Sequence, residues 1–160
     1  MAEIKTSSLS EQAEETARNY FKQGLNCSEC VLAAFWDVYG IDLPKEAMTL
    51  CTGFGGGMGH TQNSCGAIAG AVMALSTVVG RKNPLAKPDM AERIAELQQD
   101  IYPKVASLVH DLEAEQGTLI CRELCEPFDD FDSKERKKNC MKLIGRSAAL
   151  AVAHAEKNAG

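Results

Sequence analysis

At 160 residues, with a formal net charge of −5 and 45% apolar residues, the chain has the length of one domain and enough apolar surface for a core. The acidic balance argues against nucleic acid, which calls for a basic stripe, and against anionic membrane surfaces. The start, MAEIKTSSLSEQAEE, has no apolar run behind basic residues, and the longest nearly apolar stretch, CGAIAGAVMALSTVVG, is short for a membrane span. These features predict a soluble, cytoplasmic protein.

Helical patterns follow one another with no strand pattern between them. SSLSEQAEETARNYFKQG offers Ser8 and Glu11 as a capping box and sets Ala13, Ala17, Tyr20 and Phe21 on one face, which predicts a helix over 9–22 stopped by Gly24. Asn26 is a natural N-cap for a second helix over 27–39, ended by Gly40. Pro44 opens a third over 45–53. A fourth is expected over 64–79, capped by Asn63 or Ser64, and NPLAKPD reads as a linker. Met90, Ile94, Leu97, Ile101, Val105, Leu108 and Leu112 recur at steps of four and three, the face of a helix over 89–115. Pro103 should kink it near Tyr102. TLICRELC is a shorter helix, followed by the acidic loop EPFDDFD. Asp132 or Ser133 caps the last helix, over 133–156, with Cys140, Leu143, Ile144, Leu150 and Ala151 on its apolar side. The expected architecture is an all-α, single-domain bundle of five to seven helices spanning 1–160, with a glycine-rich loop before a central helix.

That loop, GFGGGMG, contains Gly53, Gly55, Gly56, Gly57 and Gly59 and leads to Cys65. Each glycine is costly to order, so such a run marks a sharp turn or a close approach of backbone. It is no Walker loop, since no lysine follows and no strand precedes it, and a dinucleotide fingerprint fails for the same reason. The steric reading is that backbone wraps close to Cys65 and offers N–H groups to a thiolate or a cluster sulfide. Gly66, Ala67, Gly70 and Ala71 also make one side of the following helix slim.

Seven cysteines are the informative excess: Cys27, Cys30, Cys51, Cys65, Cys121, Cys125 and Cys140. In a reducing compartment they are not a disulfide framework, and an odd number cannot all pair within one chain. A free cysteine is otherwise a small core hydrophobe. Cys27 and Cys30 share a helix face; Cys121 and Cys125 do so on another. Cys27 and Cys65 are expected in first helical turns, where unpaired N–H groups favour a thiolate and lower the thiol pKa.

CGAIAG, preceded by GFGGGMG and NCSECVLAAF and followed by well-separated cysteines, resembles the C_GCAxxG_C_C family of small redox proteins, over about residues 12–154. The resemblance implies four recurring cysteines, which fall here on Cys27, Cys65, Cys121 and Cys140; Cys30, Cys51 and Cys125 are extras. A related domain occurs in split-Soret cytochromes, where cysteines hold an iron–sulfur cluster beside haem. Here neither cysteine pair is followed by the histidine of CxxCH, so covalent haem is not expected.

Three chemistries are open. Cys27, Cys65, Cys121 and Cys140 could bind an iron–sulfur cluster or another thiolate-held metal, with Cys30, Cys125, Gly56, Gly57 and Gly66 contacting the cofactor. The same thiols could run dithiol–disulfide exchange without any cofactor. A Cys₄ zinc module or simple packing is the third reading. If any chemistry operates, these four thiols must converge on one site. A redox partner protein is implied but not identified, and the slim helix face with the odd cysteine count admits a homodimer. His60 on the loop is a lesser candidate, His110 and His154 read as plain helix residues, and Phe35, Trp36 and Tyr39 read as core. Asp129, Asp130 and Asp132 lack the order of a calcium loop.

Overall fold

The computed structural model describes residues 7–128 and 130–159, so Asp129 of the acidic loop lies outside the described residues. The fold is all-α. Its elements are α1 (Leu9–Lys22), α2 (Cys27–Val38), a 3₁₀ turn (Lys45–Met48) running into α3 (Thr49–Thr52), α4 (Gly55–Met58), α5 (Gly66–Val79), α6 (Met90–Ala95), a π-turn (Glu96–Ile101), α7 (Tyr102–Gln116), α8 (Cys121–Cys125) and α9 (Lys134–Asn158). No helix among the described residues is long and apolar enough to cross a membrane.

Caps set most of the boundaries. Ser8 accepts from the Glu11 N–H at 3.1 Å. Asn26 and Glu29 close a full capping box, with bonds of 2.9 and 3.0 Å. Ser133, not Asp132, caps α9, accepting from the Arg136 N–H at 3.2 Å. The helix predicted over 89–115 is broken where Pro103 requires it. A regular helix would drive the Pro103 ring into the Gln99 carbonyl and would need an N–H that proline lacks. The chain widens instead, and the Tyr102 N–H reaches back five residues to Leu97 O. The apolar stripe is buried only from the end of this turn onward: Ile101, Leu108 and Leu112 are buried, while Met90 and Ile94 are exposed.

One core holds the molecule together, built from Ala13 and Ala17 of α1, Val31, Ala34 and Phe35 of α2, Ala67, Ala71, Ala74 and Leu75 of α5, Leu108 and Leu112 of α7, and Ile144, Ala148, Ala151 and Val152 of α9. Of the three aromatic residues expected there, Phe35 is fully buried and Trp36 and Tyr39 are half-buried. Helix α9 is the axis, packing on α1, α2, α5 and α7. Arg146 of α9 ties α1 to α7 through Glu14 (3.2 Å) and Glu115 (2.8 Å). Small residues bring α2 and α5 into backbone contact: a Cβ on Gly70 would lie 2.8 Å from Ser28 O.

Candidate functional site

The glycine run is a compact left-handed knot. Gly56, Gly57 and Gly59 have positive φ, and so do Met58, His60 and Gln62 (φ 69, 65 and 61°). For the three non-glycine residues this backbone costs about 1 kcal/mol or more each. The strain is held by backbone bonds from Gly59 N–H to Gly53 O (2.8 Å), His60 N–H to Gly55 O (3.1 Å), Gln62 N–H to Gly56 O and Asn63 N–H to Gly57 O (both 3.0 Å). Glycine is needed at 57 for a second reason: a Cβ there would lie 2.6 Å from Asn63 N and 2.8 Å from Cys121 Cβ.

The knot ends in a short antiparallel pairing with the segment before α8. Cys65 N–H donates to Leu119 O (2.8 Å), Cys121 N–H to Asn63 O (2.6 Å) and Arg122 N–H to Gln62 O (3.0 Å), around a bridge between Ser64 and Ile120. Cys65 and Cys121 are thereby fixed beside each other by backbone, without reliance on side-chain packing. Because Asn63 and Ser64 serve this pairing, neither caps α5. Cys65 is itself the N-cap, and α5 begins at Gly66.

A cavity of about 190 Å³ opens at this junction. Cys27 enters it from the first position of α2, Cys65 from the start of α5, Cys121 and Cys125 from the two ends of α8, and Cys140 from the second turn of α9. Gly56 and Gly66 line it too, while Gly57 stands behind Cys121. Phe21, Leu124, Phe131, Leu143 and Ile144 form its apolar wall. Cys30 and Cys51 point elsewhere: their sulfurs face Leu25 O (3.6 Å) and Met48 O (3.1 Å).

Phe131 and Arg136, which the sequence does not single out, complete the mouth together with His60, the lesser candidate on the glycine loop. The Arg136 guanidinium stacks 3.6 Å from the Phe131 ring centre and donates to Phe131 O at 2.7 Å. His60 meets the same ring edge-on, with ring centres 4.5 Å apart. Arg136 lies one turn before Cys140 on α9, the spacing that could have pointed to it, and its charge partly offsets the burial that raises the Cys140 pKa.

The expectation of an acidic Cys65 is overturned. Burial pushes its thiol up to about 11, although the N–H groups of Ile68 and Ala67 pull in the opposite direction. Desolvation of a thiolate outweighs the partial charge of one helix end. Burial likewise lifts Cys121 to about 12, and the neighbouring Cys125 thiol adds to it. Among the described residues no three His, Cys, Asp or Glu side chains are poised to close on a single metal ion.

A family model described as "Putative redox-active protein (C_GCAxxG_C_C)" matches residues 25–154. The chain is also 23% identical over 146 residues to an "Uncharacterized protein" of Archaeoglobus fulgidus, covering 89% of this chain and 92% of that one. No solved structure matches.

Proposed function

The chain belongs to the C_GCAxxG_C_C family, and from that premise we propose that it is an electron-transfer protein whose Cys27, Cys65, Cys121 and Cys140 hold an iron–sulfur cluster. The observation that carries this reading is the meeting of thiols from α2, α5, α8 and α9 at one cavity. The donor set fits: thiolate sulfur is the ligand such clusters take. A mononuclear Cys₄ zinc site would draw every sulfur to about 2.3 Å from one point. A cluster spreads its ligands over several irons, which suits sulfurs distributed around a 190 Å³ space.

When bound, the cluster supplies electron transfer at a potential set by charge, hydrogen bonding and solvent exposure. The chain's own groups act on each of these. Arg136 brings positive charge beside Cys140, the N–H groups of Ile68 and Ala67 face the Cys65 sulfur, and Phe21, Phe131, Leu143 and Ile144 exclude water. Dithiol exchange suits the same thiols less well. The attacking species is the thiolate, and burial keeps Cys65 and Cys121 protonated at neutral pH.

Anaerobic purification and reconstitution with iron and sulfide, followed by an absorption spectrum and metal and sulfide analysis, tests the proposal. Charge-transfer bands in the visible region with stoichiometric iron and sulfide are expected. A colourless protein holding neither would overturn it.

A further inference from the structure

Cys125 is the cavity thiol that the four-cysteine reading leaves over. It is buried (7% exposed), as is Cys121 (8%), and the two occupy opposite ends of the single turn of α8. We propose that Cys121 and Cys125 are a disulfide-forming pair, oxidised by a hydroperoxide, and that this oxidation withdraws Cys121 from the four thiols of the site. The consequence for the site rests on the cluster reading; the disulfide itself does not.

Helix geometry sets the separation. Residues four apart lie about 6.2 Å between Cα atoms for a 1.5 Å rise, 100° rotation and 2.3 Å radius, inside the 4.4–6.8 Å range that disulfides span. Forming the bond then requires the Cβ atoms to draw together, and the two ends of α8 are held differently. Its start is fixed by the bonds of Cys121 to Asn63 and Arg122 to Gln62. Its end passes directly into a turn, with Phe128 N–H donating to Cys125 O at 3.0 Å. With Cys121 anchored, closing the bond falls to displacement of the Cys125 end. The Cys125 thiol already bears on Cys121, whose ionisation it disfavours. Cys27 and Cys30 satisfy the Cα range as well, at three residues apart on α2, but the Cys30 sulfur faces Leu25 O and does not line the cavity.

The chemistry balances with one equivalent of peroxide. Cys125 attacks the O–O bond as its thiolate, giving a sulfenic acid and hydroxide, which takes up the proton Cys125 has released and leaves as one water. The second thiol attacks the sulfenic sulfur, forming the S–S bond and releasing the second water. Two thiols lose two electrons and their two protons, and the peroxide takes up both. Hydrogen peroxide is small enough for the cavity mouth beside Phe131 and Arg136, which suits thiols closed to bulkier reagents.

The experiment uses reduced, metal-free protein treated with hydrogen peroxide, alkylated, and digested with trypsin without reduction. Arg122 lies between the two cysteines, so the disulfide joins peptide 105–122 to peptide 123–134, with the loss of two hydrogens. This linked pair is expected as the dominant oxidised product, separated by dithiothreitol, absent from Cys125→Ser and from Cys125→Ala, and retained in Cys30→Ser. Cys121 or Cys125 joined to Cys65 or Cys140, a Cys27–Cys30 link in place of this one, or sulfinic acid at the pair without a link would overturn the inference. Iron and sulfide loading of the reduced protein is measured separately. Loading without the linked pair removes this inference alone, and the linked pair without loading removes the cluster reading alone.

Discussion

Gly66 lies directly against Cys27: a methyl group in place of its hydrogen would collide with the Cys27 sulfur and sit 2.7 Å from Phe54 O. The first residue of α5 is thus bare so that the first residue of α2 can turn its thiol into the cavity. Phe54 O is backbone and cannot swing aside. Gly66→Ala must therefore displace either the start of α5 or Cys27, and overpacking of this kind costs about 1–3 kcal/mol. We expect a urea midpoint lowered by that free energy divided by the denaturant slope, together with loss of cluster loading. An alanine variant with unchanged midpoint and loading would show that the contact constrains nothing.

The four-thiol assignment predicts a division among serine variants. Cys27→Ser, Cys65→Ser, Cys121→Ser and Cys140→Ser should each abolish stoichiometric iron and sulfide after anaerobic reconstitution. Cys51→Ser should retain both, because Cys51 lies outside the cavity with its sulfur 3.1 Å from Met48 O, a contact that a hydroxyl can replace. Equal loading of Cys51→Ser and Cys65→Ser would break the assignment.

Much of this architecture is legible in the sequence, because caps and helical periodicity are local. Asn26 with Glu29, and Ser133 with Arg136, are three residues apart and need no knowledge of the rest of the fold. Pro103 announces its own interruption. The start of α5 is not local. Asn63 looks like a cap, yet its carbonyl accepts from Cys121 far along the chain, so the helix boundary depends on a pairing that no short window contains. The acidity of Cys65 fails for a related reason. A helix N-terminus can be read from residues 63–70, whereas the burial that outweighs it comes from α2, α8 and α9. Met90 and Ile94 have the right period but extend past the body they would pack on.

His154 reads in the sequence as a plain helix residue; in the fold it is buried, 3% exposed, with Nε2 at 2.7 Å from Asp111 Oδ2. Its Nδ1 is buried without a hydrogen-bond partner. The Asp111 contact is accordingly the ring's one polar tether between α9 and α7. Asp111→Ala would leave both ring nitrogens unsatisfied, a loss of about 1–3 kcal/mol. Asp111→Asn, which keeps a partner for the ring, should recover part of it. Chemical denaturation of both variants measures the difference, and an alanine variant as stable as the parent would contradict the argument.

The buried thiols give the metal-free protein a pH dependence of definite sign. In the unfolded chain a thiol ionises near 8.5. In the folded chain burial holds Cys51 and Cys65 up to about 11, and Cys30 and Cys121 up to about 12. Above about pH 8.5 the unfolded chain therefore binds fewer protons than the folded one, and stability falls as pH rises. The contribution is complete below the unfolded value and is lost progressively toward the folded ones. Thermal midpoints measured across the alkaline range in the presence of a chelator should decline. The decline, converted to unfolding free energy, should be shallower in a Cys30→Ala/Cys51→Ala double variant. Lysine and tyrosine ionisation is common to both proteins, so the difference in slope isolates the thiols. Identical slopes would mean that Cys30 and Cys51 ionise in the folded chain as readily as in the unfolded one, against their burial.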